Sequence, residues 1–497
     1  MVLRRPPPEP VSVMCCVMCR SESGADCPGS QLAAQCAAPL TVGYNCRLPQ
    51  FHREGTRLQE VMSAHDPVQS LAPEAEQPFD IGATDDSIHR MTALFQRHGD
   101  VYRVYSPARR SYTWVINHPN DVKRVLVSNH RNYTKGLGLD RVKILLGNGI
   151  MTSEGEFWRR QRYMMQPAFH RRVVTEFAAT IAGANDRFIA KWQAAAARGE
   201  LINVTDEMSE LTLEIVLRSI FSTDLDRLTT ELGSNPFALV TQEPARDLKF
   251  AYRFRQLTKL VAEVISRRRA QRVERFDFVQ LLMDARDKET GDAMNERELI
   301  DEIMTLIVAG HETTASGLNW TWYLLARHPD VAARMHAEID SIPAESAPSL
   351  PRMEQLTYTR QVVDEALRLY PPGWLLSRRT IGPDVLGGYP IPANTDVLFS
   401  PYLLHRHPQF WREPESFRPE RFDAAHEAER PRFAYMPFAA GPRHCIGETM
   451  ALYEMYMHLY KVARHYRLTH VADRPLELEA HVNLRSKHPF YMRLERR

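Results

Sequence analysis

From Asn295 to Asp330 the chain reads NERELIDEIMTLIVAGHETTASGLNWTWYLLARHPD, its longest helix candidate. Ile300, Ile303, Met304, Ile307 and Val308 recur at helical spacing and form one apolar stripe, which the HPD sequence ends. Helical patterns also run through His118–Asn129, Ser153–Phe169, the long span from Val173 to Ile220, about Gln355–Tyr370, and after Cys445 to about Tyr466. Between Asn235 and Glu263 the signal is broken, and then it resumes. β-type residues punctuated by Gly and Pro are concentrated in LLSRRTI, VLGGYPIP and TDVLFSP. Strands and helices do not alternate as in a doubly wound sheet, and no internal repeat is present. The expected class is mainly α with a small β region.

A chain of 497 residues can hold one large domain or two to three ordinary ones. With 44% hydrophobic and 25% charged residues, its composition is that of a soluble globular protein. The net charge of +2 gives no reason to expect nucleic acid or an anionic membrane as the main partner. No apolar run approaches the roughly 18–20 residues that cross a bilayer. The N-terminal VSVMCCVM is too short for an anchor and lacks a signal-peptide cleavage pattern. A cysteine-poor body fits a reducing cytoplasm.

Of the seven cysteines, all but Cys445 lie at or before Cys46. Cys16 and Cys19 could form half of a metal site, but no second Cys or His pair completes it. Residues 1–61 are therefore expected to be a disordered or non-native extension, with Met62 a plausible true start. Residues 62–497 are expected to form a single domain. On the resumed helix, Arg267, Arg268, Arg269 and Arg272 read as an exposed basic face.

Within the long helix, AGHETT breaks local rules. Gly310 costs about 1 kcal/mol relative to alanine, and Thr313 and Thr314 are poor helix formers. A threonine hydroxyl can bond the carbonyl one turn earlier, near Ala309, and Glu312 beside it could relay protons. Alternatively, the small residues let another helix pack closely. HETTA is no zinc-protease helix, because Ala315 stands where the second histidine belongs. KGLGLDR has Gly136 and Gly138 but Arg141 at the third glycine position, so no dinucleotide site is expected. Glu365 and Arg368 can pair across one helical turn, and the pair gains weight if Arg421 meets it in the interior.

PFAAGPRHCIGETMA, Pro437–Ala451, places Cys445 between a Gly-Pro-Arg turn and a helix start. The helix dipole, free backbone N–H groups and Arg443 would all favour thiolate over thiol. Such a sulfur could serve as a nucleophile or as a soft metal ligand.

Phe438-Ala-Ala-Gly441-Pro-Arg443-His-Cys445-Ile-Gly447 resembles the F-x-x-G-x-R-x-C-x-G haem signature of the cytochrome P450 monooxygenases. Ala309–Thr314 resembles that family's oxygen-activation motif, and Glu365-x-x-Arg368 with Arg421 its E-x-x-R pair and third member. Trp158-x-x-x-Arg162 is similar to its W-x-x-x-R helix. The resemblance covers about residues 75–497. It implies a triangular α-helical prism around a buried haem b, with Cys445 as the iron ligand and Phe438 and Gly447 around the sulfur. It further implies propionate contacts from Trp158, Arg162, Arg443 and Arg378, with Arg379 the less favoured neighbour. Glu365, Arg368 and Arg421 would be structural.

By the same resemblance, Glu312 and Thr313 would be catalytic, guiding protons so that O–O cleavage outruns peroxide release. The pocket would hold Met304, Val308 and Ala309, with the Tyr133–Thr152 loop, the Phe221–Tyr252 region, Gly373–Ser377 and the tail around His488. The implied activity is insertion of one oxygen atom of O2 into a lipophilic small molecule in specialised metabolism, terpenoid, fatty acyl or polyketide. Electrons would come ultimately from NAD(P)H through a ferredoxin or flavodoxin and its reductase, to a cytoplasmic monomer. Haem-thiolate isomerisation, peroxygenation and non-catalytic haem sensing are the alternatives; the intact Glu312–Thr313 pair counts against the first two.

Overall fold

The structure, a computed structural model, describes residues 71–242, 248–271, 275–471 and 474–497. The readings made for residues 1–61 lie outside the described residues, as does Arg272. The helices that build the site are α1 (Gly155–Met165), α2 (Ala178–Ala197), α3 (Val204–Phe221), α4 (Glu296–Arg327), α5 (Thr357–Leu369) and α6 (Glu448–Ala463).

Helix α4 is the axis of the fold, at 32 residues. Its start is a capping box: Asn295 Oδ1 accepts from Glu298 N at 3.0 Å, and the Glu298 carboxylate accepts from Asn295 N at 2.9 Å. It stops at His328, whose φ of −126° and ψ of 77° suit the residue before Pro329. From Leu299 to Leu325 it is buried on most of its circumference, so neighbours must approach closely. A Cβ at Gly310 would lie 3.0 Å from Val216 of α3, and one at Gly317 would lie 3.1 Å from Met455 of α6. Both glycines therefore admit a neighbouring helix, which is one of the two readings of the AGHETT break.

The strands follow the Gly/Pro-punctuated region and extend beyond it. A five-stranded sheet is built from β1 (Val101–Ser106), β2 (Ser111–Ile116), β3 (Tyr133–Lys135), β4 (Leu376–Thr380) and β5 (Asp396–Phe399), in the order β1-β2-β5-β4-β3. Its β3–β4 pairing sets Lys135 directly opposite Arg378. Gly136 is required just after this pair, because a Cβ there would meet the Arg378 backbone nitrogen at 2.8 Å. A hairpin of β6 (Leu478–Ala480) and β7 (Leu484–Ser486) lies against α4: Leu484 O accepts from Ser316 Oγ at 2.7 Å and from Trp320 Nε1 at 3.1 Å.

Several expectations need correction. The long span from Val173 to Ile220 is not continuous: α2 ends at Ala197, and strand Ile202–Asn203 precedes α3. Arg268 does not share the exposed basic face of Arg267 and Arg269. It is buried, donating to Asp224 at 2.8 Å and to both oxygens of Asp277 at 2.6 and 2.7 Å. Its charge faces inward because acidic partners from two other elements meet it there, a pairing that a one-helix pattern does not display. Among the described residues no helix is long and apolar enough to cross a membrane.

Candidate active site

Between α4 and the Pro437–Met450 loop lies a cavity whose walls include Leu306, Ala309, Gly310, Thr313 and Thr314 on one side and Phe438, Ala439, Arg443, Cys445 and Gly447 on the other. Its remaining walls are mostly apolar, among them Met151, Phe169, Val216, Ile220, Phe278, Gly373 and Leu376. Met304 and Val308, expected in the pocket, are absent from these walls: Met304 is packed in the core, and Val308 is packed against it. Helical geometry gives the reason, since the face carrying Ala309, Gly310, Thr313 and Thr314 includes Leu306 instead. No described residue of the Phe221–Tyr252 region reaches the cavity. His488 lines a separate surface cleft with Tyr323 and Arg327.

The cysteine loop is shaped by its glycines. Gly441 has φ +75°, and a Cβ there would collide with the Leu126 carbonyl. Ala439 is also left-handed, at φ +60°. Cys445 N donates to Phe438 O at 3.0 Å, closing the loop beneath the sulfur, and α6 begins just after Gly447. The Cys445 side chain is open to the cavity.

Burial pushes the Cys445 thiol up. The N–H groups of Gly447 and Glu448 and the Arg162 charge oppose this, while the Glu448 charge adds to it. Desolvation therefore outweighs the helix start, contrary to the expectation of a thiolate favoured by its surroundings alone. The cation that acts on the sulfur is Arg162 rather than Arg443. Arg443 is instead engaged with Glu154 and lies 4.3 Å over the Trp158 ring. A metal ion bound to a sulfur so placed would favour the thiolate.

Beside this loop the structure collects cations, of which Arg378 is buried and Lys135, Arg162 and Arg443 are half-buried. Lys135 is pushed down to about 7 by burial and by the Arg443 charge. Arg378 falls to about 10 for the same reasons. Burial also lowers Arg443 and Arg162. Their partners are largely neutral: Lys135 Nζ donates to Ile150 O (2.9 Å) and Ser153 O (2.7 Å), Arg162 to His444 O (2.9 Å), and Arg378 to Ser377 O (2.7 Å). The nearby Glu302 is raised to about 8, chiefly by burial, so near neutral pH it adds little counter-charge. Cations crowded against one another beside an apolar cavity are the chemistry of a site for a ligand that carries carboxylates.

Sequence reasoning named Arg162, Arg378 and Arg443 here but missed Lys135 and Glu154. The signal for Lys135 was present: a lysine in the β-prone YTK, directly before a glycine that a neighbouring strand requires. Arg379, next to Arg378, points the other way and forms a fork with Asp396, both contacts at 2.9 Å.

Further from the cavity, Arg368 donates to both oxygens of Glu365, at 2.6 and 2.8 Å, with neither side chain exposed. Arg421 Nε reaches Glu365 Oε1 at 3.2 Å. Arg368 also donates to the carbonyls of His405 (2.9 Å), Pro414 (2.7 Å) and Ser416 (3.1 Å). This group ties α5 to the meander that leads into the cysteine loop. On α4, Thr313 Oγ1 donates to Ala309 O at 2.7 Å, and Thr212 Oγ1 to His311 O at 3.2 Å, so side chains draw on carbonyls within AGHETT.

A thiol-bearing loop, an apolar cavity and carboxylate-seeking cations around it define a haem-thiolate protein, and the comparisons agree. The chain belongs to the cytochrome P450 family, whose profile it matches over residues 79–235 and 234–493. It is 34% identical, over 81% of its own length and 92% of the relative's, to cyclooctat-9-en-7-ol 5-monooxygenase of Streptomyces melanosporofaciens. It is 30% identical to pentalenene oxygenase of Streptomyces avermitilis, over 79% and 89% of the two chains. It is 32% identical to the chloroplastic protein LUTEIN DEFICIENT 5 of Arabidopsis thaliana, over 73% and 66%. The solved haem domain of cytochrome P450DA superposes with a TM-score of 0.76 at 25% identity, covering 87% of this chain and 99% of that one. The chain is a cytochrome P450 monooxygenase of mainly helical fold with small sheets, a haem-thiolate enzyme that needs a redox partner.

Proposed function

We propose that this enzyme inserts one oxygen atom into a terpenoid-like lipophile, by hydroxylation or epoxidation. The observation that carries the reading is the apolar wall facing Cys445, in which Leu306, Ala309, Val216, Ile220, Phe169 and Phe278 offer contact area with little polar anchoring. Relatives of similar length whose names refer to terpenoid oxidation support the class. Haem bound at Cys445 would supply oxygen activation, with the thiolate favouring O–O cleavage. Arg162, Arg378, Arg443 and Lys135 would hold its carboxylates, and Trp158 would brace Arg443 from below. Phe438 would cover the sulfur side.

Glu312 and Thr313 would pass protons into the cavity, with Thr313 as the inner member because it is the one on the cavity wall. Glu365, Arg368 and Arg421 would hold the loop in register and take no part in chemistry. Electrons would reach the enzyme from NAD(P)H through a ferredoxin or flavodoxin-type protein and its reductase, in the cytoplasm. The test is a spin-state titration of the haem-loaded enzyme over a panel of sesquiterpenes, diterpenes, fatty acids and polyketide lactones, followed by turnover and product analysis. Shifts and oxygenated products confined to terpenoids support the reading; a response only to fatty acids or lactones overturns it.

A further inference from the structure

Glu312 does not wall the cavity, although its neighbours Ala309, Gly310, Thr313 and Thr314 do. Its Oε2 instead accepts a hydrogen bond from Nδ2 of Asn483 at 3.0 Å. Asn483 lies in the turn between β6 and β7 and is 8% exposed. The next residue fastens that turn. Leu484 O takes bonds from Ser316 and Trp320 of α4, and Leu484 N donates to Pro372 O at 3.0 Å. The Asn483 amide is thus held against the outer side of the AGHETT turn by bonds that Glu312 does not share.

We infer that Asn483 is a positioning residue for Glu312. It holds the carboxylate at the seam between the β6–β7 hairpin and α4, at the outer end of a proton route whose inner end is Thr313. The Asn483 hydrogen bond narrows the orientations open to a flexible glutamate at little cost, because the donor is already ordered. In each passage Glu312 takes one proton from water at the seam and releases one toward Thr313, so its own protonation is restored. Asn483 gains and loses none. The inference rests on the relay role proposed above for Glu312 and Thr313.

The test compares N483L, which keeps the approximate volume without the donor, N483Q, which keeps the amide, E312Q, and the N483L/E312Q double variant. The first readout needs no turnover: the infrared band of the Glu312 carboxyl in the resting protein, assigned by its loss in E312Q. The second is the ratio of peroxide to oxygenated product, in H2O and D2O, with a plant-type ferredoxin, its reductase and farnesol as the probe. The expected result is a shifted Glu312 band in N483L and a rise of about tenfold in the peroxide ratio, the scale of one hydrogen bond to a charged group. N483Q should recover at least part of both, and N483L should add nothing in the E312Q background. An unshifted band in N483L, or additive effects of N483L and E312Q, would overturn the inference. A shifted band with E312Q at the wild-type peroxide ratio would overturn the relay itself, and Asn483's role in it.

Discussion

Two charged groups of the protein, one around Glu365 and one beside the cysteine loop, are built in opposite ways. Around Glu365 every strong donor meets an acceptor: Arg368 spends its guanidinium on Glu365 and on three backbone carbonyls, and Arg421 closes the other side. Around Lys135, Arg162, Arg378 and Arg443 the positive charge exceeds what Glu154 can balance, and burial pushes each of these groups toward its neutral form. A closed network serves the fold. An open one, beside a cavity, suits a ligand of opposite charge. The contrast lies in how completely the arginines are paired, which sequence position alone does not display.

The largest expected effect lies in the closed network. Arg368→Ala leaves Glu365 buried without its fork, and Glu365→Ala strands Arg368; each should cost about 3–5 kcal/mol in urea unfolding, or give no folded protein. A loss below 1 kcal/mol would mean that the network is not closed in solution. In the open region the sign differs. Arg378→Met should leave the apoprotein as stable as wild type or more so, because like charges are relieved. It should weaken haem binding about tenfold to a hundredfold in titrations of the apoprotein. Equal losses of stability and haem affinity would erase the distinction between the two regions.

A smaller effect is expected on α4. Thr313→Val keeps the shape but removes the hydroxyl that bonds Ala309, and should lower product formed per NADPH about tenfold while haem content stays unchanged. The smallest effect is in pH dependence. Lys135 titrates at about 7 in the folded chain, against 10.5 as an ordinary lysine. Between those values the unfolded chain binds the additional proton, so apoprotein stability gains a component that grows as pH rises from about 7 toward 10.5 and is lost as pH falls through 7. Subtracting the thermal melts of Lys135→Met from those of wild type should isolate that slope, and haem carboxylates should flatten it by keeping the lysine charged.

Much of this site was legible in the sequence because its chemistry is concentrated in short stretches. AGHETT, the Glu365–Arg368 spacing and the turn around Cys445 each break or exploit local rules within a few residues. What escaped depends on contacts between distant segments. Lys135 acquires its meaning only when β3 pairs with β4 and sets it opposite Arg378. Arg268 reads as one of an exposed basic run until Asp224 and Asp277 arrive from other elements. Asn483, in a short polar turn, carries no signal until the hairpin is laid on α4. Pocket membership was misjudged for Met304 and Val308 because an apolar stripe marks a buried face without saying which part faces a void. The thiolate argument failed similarly: local charges were visible in the sequence, but the desolvation that outweighs them was not.

The central claim is that Cys445 is the sulfur for which the open cation cluster and the apolar cavity are arranged. The most direct measurement is the spectrum of the reduced, carbon monoxide-bound protein for wild type and Cys445→Ala, each loaded with haem. A strongly red-shifted Soret band in wild type, lost in Cys445→Ala, is the predicted result. A wild type without that band, or a band that survives in Cys445→Ala, would contradict the account.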